Sequence, residues 1–385
     1  MTRSSATSEV RLDKSEGRLQ GDLLCFSHLR WNWVFQRPQH LLTRAARDWR
    51  TFFFEEPLRE HGDPYCELRA VAPHLFVVVP HLPHDLDASH ETAVHRELLD
   101  RFIAEQGVRP SLLWYYTPMA LPHTAHLSNA LCVFDCMDEL SAFADAPPTL
   151  PLLERQLLAR CDVVFTGGWS LYEAKASLHP NCHAMPSGVD IAHFRQARNA
   201  HEDPADHRHI PHPRIGYCGV IDERLDLGLI AGVADARPDW HLVFVGPVTK
   251  IDPESLPQRP NIHYMGQRDY SDLPASMAAW DVAWMPFALN DSTRFISPTK
   301  TPEYLAAGRP VVSTPVRDVV RSWGDEGLVR IASSVDECVA GIAASLSEQD
   351  ATRLPRVDRA LAGVSWDSTW KRMLDIMQQA STRAA

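Results

Sequence analysis

Short apolar runs alternate with amphipathic stretches from residue 22 almost to the end of the chain. Asp22–Phe26, Thr51–Glu55, Leu75–Val79, Leu112–Tyr116, Leu131–Phe134 and Val163–Thr166 read as buried strands. Helical spacing of apolar positions falls between them, over Pro38–Trp49, Glu91–Gln106 and Leu150–Arg160. This alternation predicts a parallel sheet with helices on its faces. The rhythm then breaks. Residues 195–213 are rich in histidine, proline and charge and carry no period, which predicts an exposed linker. After it the alternation resumes. Strands are expected over Arg214–Cys218, His241–Val245, Ile262–Met265, Val282–Met285 and Val311–Ser313. Helices are expected over Leu227–Ala236, Leu273–Ala279, Pro302–Ala307 and Ser334–Leu346. The last amphipathic stretch, Ser365–Ala380, places Trp366, Trp370, Met373, Leu374 and Met377 at helical spacing.

The pattern predicts an α/β chain of two Rossmann-like parallel-sheet domains, over residues 21–194 and 214–364, with a closing segment over 365–385. In open parallel sheets, ligands bind beyond the carboxyl ends of the strands. The loops after these strands, facing a central cleft, are therefore where chemistry is sought.

Composition narrows the possibilities. The 385 residues suffice for two ordinary domains, and 45% apolar with 23% charged residues is ordinary globular usage. A formal charge of -11 supplies no basic surplus to displace counterions, which argues against a nucleic-acid partner. The eight cysteines are scattered through apolar runs and read as small buried hydrophobes in a reducing compartment. Cys132 and Cys136 lie four apart with no second pair at zinc spacing, so no metal site is expected. His201, His207, His209 and His212 read as exposed linker residues rather than ligands. Residues 1–20 are polar with no apolar core, which predicts a disordered tail and no signal peptide. The longest β-like apolar run is too short to span a bilayer. A cytoplasmic protein is expected, with any membrane contact peripheral.

The richest loop is Ser297-Pro298-Thr299-Lys300-Thr301-Pro302-Glu303-Tyr304, ahead of the apolar Val311–Ser313. A lysine and a glutamate three apart at the mouth of a strand suit a nucleotide. The cation can meet phosphate, and the carboxylate can accept hydrogen bonds from a ribose diol. Gly219, ending the strand Arg214–Cys218, would let a ligand approach the backbone. Taken alone it fits a tight structural turn equally well. Asp222 and Arg224 follow in the same loop; Arg224 either points into the cleft or pairs with Asp222 or Asp226. Gly266 and Gln267 end another strand, where exposed backbone could read a nucleobase edge. In the first domain, His28, Trp31, Gln36, Arg37 and His40 crowd one loop and helix start. They suit sugar stacking, or a mixed packing surface. Asp135, Asp138 and Glu139 lie at a strand end. There they could orient a hydroxyl or stabilise positive charge on a sugar ring, or cap the next helix. No G-x-G-x-x-G, P-loop, G-x-S-x-G or H-E-x-x-H pattern is present.

Four segments carry a family resemblance. Ala184-Met185-Pro186-Ser187-Gly188-Val189-Asp190-Ile191-Ala192-His193-Phe194 resembles the V-I-P-N-G-V-D-x-x-x-F signature of retaining GT-B fold glycosyltransferases. Pro302 to Val312 is similar to their L-E-A-x-A-x-G-x-P-V-V segment, Cys161 to Thr166 to A-D-x-V-x-x-x-S, and Ser365 to Thr369 to F-S-W-E-x-T. The chain looks closest to bacterial members that build surface polysaccharides, with similar Q-R-P-Q-H, D-C-M-D-E and S-P-T-K-x-x-E-Y segments. The resemblance implies a last helix crossing back to the first domain. It implies a nucleotide-sugar donor held mainly by the second domain, with Glu303 on the ribose and Gly219 at the diphosphate; Asp222, Arg224, Gly266, Gln267, Ser297, Pro298, Thr299 and Lys300 are the further donor-binding residues expected from the loops. It implies a glycan or lipid-linked acceptor near His28, Trp31, Gln36, Arg37, His40 and Asp138, and no metal or other cofactor. Asp135, Lys300 and Arg224 are the expected catalytic groups. The family's second glutamate is replaced by Phe295, and its two diphosphate cations by Val220 and Leu225. Lys300 and Arg224 then become the expected charges on the leaving group. A nucleotide-sugar epimerase and a non-catalytic relative on the same scaffold are the alternatives.

Overall fold

A computed structural model describes residues 21–128, 130–143, 146–199 and 202–384. The first sheet contains β1 (Asp22–Phe26), β2 (Arg50–Phe54), β3 (Leu58–Glu60), β4 (Tyr65–Ala72), β5 (Leu75–Pro83), β6 (Pro110–Tyr115), β7 (Leu131–Cys136), β8 (Val163–Thr166) and β9 (Cys182–Ala184). Its order is β3-β5-β2-β1-β6-β7-β8-β9, with β4 antiparallel on β5. The second sheet contains β10 (Arg214–Cys218), β11 (His241–Val245), β12 (Ile262–Tyr264), β13 (Val282–Met285), β14 (Val311–Ser313) and β15 (Val329–Ile331). Its pairs are all parallel, in the order β12-β11-β10-β13-β14-β15. Numbered within the domain this is 3-2-1-4-5-6, the doubly wound order whose direction reverses beside its first strand. The crevice between β10 and β13 is thus a ready ligand site.

The strands expected from apolar runs are present, with ends that differ by up to two residues, except that the one expected over Leu75–Val79 runs on to Pro83. The short strand β3 and the β4 arm of the β4–β5 hairpin had no such signal. β4 is an edge strand whose residues are exposed or half-buried along its length, so its sequence, YCELRAVA, needs no apolar face. The helices Trp169–Lys175 and Asp350–Leu361 and the short strands β9 and β15 were also unread.

The final helix, Trp366–Ala384, crosses back onto the first domain. Trp366, Trp370, Met373, Met377 and Ala380 join Leu23, Leu41, Leu42, Trp49 and Trp114 in one core. Their spacing builds one apolar stripe, so the end of the chain completes a core begun at its start. Arg44 grips Asp367 through Nε and Nη2 at 2.9 and 3.0 Å.

Two sequence expectations need correction. The stretch 195–213 is not an exposed linker throughout: Ala197, His207 and Ile210 are buried, and Arg214 Nη1 donates to Asp203 at 2.7 Å. His209 and His212 remain outside that packing, and His201 and the residues 1–20 lie outside the described residues. Asp135 and Arg37, expected in catalysis and acceptor binding, instead form a sealed pair, 0% and 1% exposed. Arg37 Nε and Nη2 hold Asp135 at 2.8–3.1 Å, and Nη1 donates to the Met185 carbonyl at 2.9 Å. Burial pushes the Asp135 carboxyl up, and Arg37 pulls it back. The pair ties the helix Arg37–Ala45 to β7 and to the segment leading out of the domain. Removing one partner leaves a buried charge alone, so Asp135→Ala is expected to cost about 3–5 kcal/mol of stability in denaturant unfolding. Arg37→Met combined with Asp135→Leu should cost much less, because both charges go together.

Candidate active site

The site grows from the carboxyl ends of β10, β11 and β12. Gly219 has φ +143° and Gly246 φ +150°, both in the region that L side chains rarely adopt. A Cβ on Gly219 would lie 2.0 Å from Lys300 Cε, and one on Gly246 would lie 2.0 Å from the Gly219 carbonyl oxygen. Only hydrogen leaves room for Lys300 to pass over the strand end. The Gly219 N–H donates to the Val245 carbonyl, and the Gly246 N–H to the Gly266 carbonyl, both at 2.8 Å. The three loops are thereby stacked on one another.

Lys300 and Glu303 share the short helix Lys300–Ala306. Tyr304 beside them pins it: its hydroxyl accepts from the Cys218 N–H at 2.7 Å and donates to the Cys218 carbonyl at 3.1 Å. Among the described residues neither Lys300 nor Glu303 makes an ion pair or a side-chain hydrogen bond. Lys300 Nζ lies over the Tyr217 ring at 5.6 Å and the Phe287 ring at 6.0 Å. Protein crowds both groups, although each is only half-buried, and Lys300 lines the central cavity of the cleft. Burial pushes the Glu303 carboxyl up to about 8, with Lys300 opposing. Burial likewise lowers Lys300, and the Arg224 charge adds to that. A cation and a carboxylate so poorly neutralised by protein are prepared for an outside partner.

Arg224 is anchored by Asp222, which is 2% exposed: Nε donates at 2.9 and 3.0 Å and Nη2 at 2.6 Å. The pairing with Asp222 is therefore real, but it aims the guanidinium into the cleft instead of removing it. Burial works against the Arg224 charge, and the Asp222 fork outweighs it. Asp138 faces the same space from the first domain. Burial raises its carboxyl, while Arg224, Lys250 and Lys300 pull it down. His28 is lowered to about 4 by burial and by Lys250, so its ring is neutral near neutral pH, and its Nδ1 has no partner.

Three cavities run along the cleft. One of about 390 Å³ lies against Gly219, Gly246, Gln267 and Tyr270. A central one of about 100 Å³ is lined by Gln36, Asp138, Arg224, Ser297, Thr299 and Lys300. A third of about 440 Å³ is bounded by His28, Gln36, Asp138, Phe143, Arg224 and Lys250. Ser297, Pro298, Thr299, Lys300, Arg224, Asp138 and Gln36 are thus brought together, with Gly219, Gln267, Asp222 and His28 on the flanking cavities. Gly266 is exposed beside the first of them. Burial raises the Tyr270 hydroxyl and the Cys218 thiol, and Glu303, one helical turn from Lys300, lies close enough to add to both.

Some expected residues sit elsewhere. Arg37 touches the central cavity, but Asp135 and Met185 use its donors. His40 is 5% exposed and stacks flat on Trp366 at 4.5 Å, so it is packing and not an acceptor contact. Trp31 lines the cavity beside Gly219 instead of the acceptor side. Val220 does reach the cleft, whereas Leu225 is buried and bridged to Phe287, and Phe295 packs against the core of the first domain. Gly246 was missed, although it ends a strand as Gly219 does. Asp318 was also missed. From the second domain it accepts from the Trp169 and Ser170 N–H groups at 2.8 and 3.0 Å, capping a helix of the first. Among the described residues no group of three or more His, Cys, Asp or Glu is placed to hold a metal ion.

Residues 212–348 match the family described as Glycosyl transferases group 1. A stretch of 103 residues is 33% identical to the putative teichuronic acid biosynthesis glycosyltransferase TuaH of Bacillus subtilis (strain 168), and it spans 26% of this chain and 26% of that protein. The whole structure resembles sucrose-phosphate synthase from Thermosynechococcus elongatus, with TM-score 0.71 and 15% identity over 94% of this chain and 100% of that one. It also resembles the UDP-forming trehalose-phosphate synthase of Burkholderia vietnamiensis, with TM-score 0.68 and 13% identity over 93% and 97%. The architecture is the GT-B fold, shared with these synthases, and the second domain carries the Glycosyl transferases group 1 sequence pattern.

The raised Glu303 carboxyl has a consequence for stability. A carboxyl with a folded pKa above its unfolded value of 4.5 favours folding when protonated, and that contribution is lost as pH rises through about 8. Thermal unfolding of the unliganded protein should therefore show Glu303→Gln gaining on wild type between pH 5 and pH 8. A constant difference between the two across that range would contradict the desolvated carboxyl.

Proposed function

We propose that the protein is a glycosyltransferase that moves a sugar from a nucleotide-sugar donor to a glycan or lipid-linked acceptor in surface-polysaccharide synthesis. The observation that carries this reading is Lys300, unpaired by any described carboxylate, lying over Gly219 at the switch point of the second sheet, with Glu303 one turn behind it. A diphosphate laid on Gly219 gives Lys300 the anion it lacks. A ribose diol beside it gives Glu303 two hydroxyl donors and favours the ionised carboxylate.

The transferred sugar would then extend toward Asp138 and His28. Transfer breaks the bond between the anomeric carbon and the donor phosphate oxygen, and the electron pair leaves with the phosphate. Lys300 and Arg224 stabilise that charge, in the manner of cations preorganised where charge develops. The acceptor hydroxyl forms the new bond and gives up its proton to the departing phosphate oxygen on the same face. We take the attack to come from the face the phosphate leaves, which retains configuration. Side-chain cations perform the neutralisation in this scheme, so no metal is required. Closure of the cleft keeps water from the donor. The teichuronic acid relative and the group 1 pattern support a polysaccharide role. No described helix is long and apolar enough to cross a membrane. With a lipid-linked acceptor in view, we propose action at the inner face of the membrane through peripheral contact.

Two variants separate binding from chemistry. Glu303→Ala should weaken nucleoside diphosphate binding about tenfold or more by calorimetry, since it removes a charged hydrogen-bond acceptor worth roughly 1.5–3 kcal/mol. Lys300→Ala should cut turnover by about a hundredfold, on the scale of losing one charge-stabilising group. Wild-type affinity in the first and wild-type turnover in the second would sink the assignment. Turnover should also survive a chelator, and product analysis by NMR should show the donor's anomeric configuration.

A further inference from the structure

The cavity beside Gly219 is not built by the second domain alone. Its opposite wall is the loop Trp31–Phe35 of the first domain. Trp33 and Phe35 on that loop are 44% and 40% exposed. The loop is nonetheless held in place. Gln267 Nε2 donates to the Trp33 carbonyl at 2.5 Å. The Phe35 ring stacks on Tyr270 at 4.5 Å, with an interplanar angle of 30°. Phe35 also meets His40 edge-on at 4.7 Å, His40 lies flat on Trp366, and Tyr270 lies flat on His193 at 4.3 Å. A row of rings thus runs from the crossing helix through the loop into the second domain. Phe35 is spent on this row, whereas Trp33 has no ring partner among the described residues and lines this open cavity as well as the edge of the one bounded by His28.

The wall facing Trp33 has the opposite character. Gln267, Arg268 and Asp269 supply hydrogen-bonding groups at the end of β12, beside the exposed backbone of Gly266. A flat ring with an apolar face and a polar edge matches such a slot. The cavity ends at Gly219, over which Lys300 passes, so a diphosphate on Lys300 would leave its nucleoside pointing here.

We infer that Trp33 of the first domain is a nucleobase-binding residue, supplying the stacking face while the end of β12 reads the base edge. The donor site is then completed by the domain that holds the acceptor, and the base is gripped only when the loop and the second domain are in contact. This rests on the reading that the cleft binds a nucleoside diphosphate.

Calorimetry on the full chain with UDP, GDP, ADP and inorganic pyrophosphate tests it. Wild type should bind at least one nucleotide about tenfold or more tighter than pyrophosphate. Trp33→Ala should lose roughly tenfold for that nucleotide, the scale of one base–aromatic stack, and nothing for pyrophosphate. Trp33→Phe should recover most of the loss. Because Trp33 is exposed, the variants should unfold at the wild-type temperature. An unchanged nucleotide affinity in Trp33→Ala overturns the inference, as does an equal loss for nucleotide and pyrophosphate. Failure of wild type to bind any of the four would overturn the functional reading itself, and this inference with it.

Discussion

A lysine and a glutamate on one short helix are crowded by protein yet form an ion pair with none of the described side chains. That uncompensated pair is the constraint around which the second domain is arranged. Gly219 must lack a side chain so that Lys300 can pass over it. Tyr304 must hold the Cys218 backbone so that the helix stays against the strand end. Asp222 must hold Arg224, or a second cation would swing freely beside the first. Each feature costs conformational freedom or solvation, and the diphosphate we propose for this site would offset these costs together. Desolvated charge of this kind is expensive in a purely structural role, which is why it reads as a binding site.

The first domain contributes through its attachment. The crossing helix buries two tryptophans and two methionines in its core, so the two domains cannot be separated without opening that core. Asp318 caps a first-domain helix from the other side of the cleft, and Arg317 and Arg321 pair with Glu173 nearby. The aromatic row through Phe35 and Tyr270 forms a third tie. With these contacts in place, Asp138, Arg224 and Lys300 surround one small cavity although they come from two domains.

The alternation of apolar runs made both sheets legible, because parallel strands buried on both faces must be continuously apolar. The hairpin with β4 was illegible for the converse reason, since an edge strand half in solvent has no such run. Lys300 and Glu303 were visible from their spacing ahead of a strand. Asp135 and Asp138 were not separable by sequence. Both carboxylates close β7, but Asp135 is still inside the strand and meets Arg37 in the core, whereas Asp138 lies past its end and reaches the cleft. The aromatic loop misled in a related way. Trp31, Gln36 and His40 sit together in sequence, yet they diverge to the cavity wall facing Gly219, the central cavity and the core.

The most direct test of the account is a diffraction structure of the protein with a bound nucleoside diphosphate. It should show the ribose hydroxyls on the Glu303 carboxylate and the diphosphate between the Gly219 backbone and Lys300 Nζ. A nucleotide bound away from β10, or one that leaves Glu303 and Lys300 without contact, would contradict it.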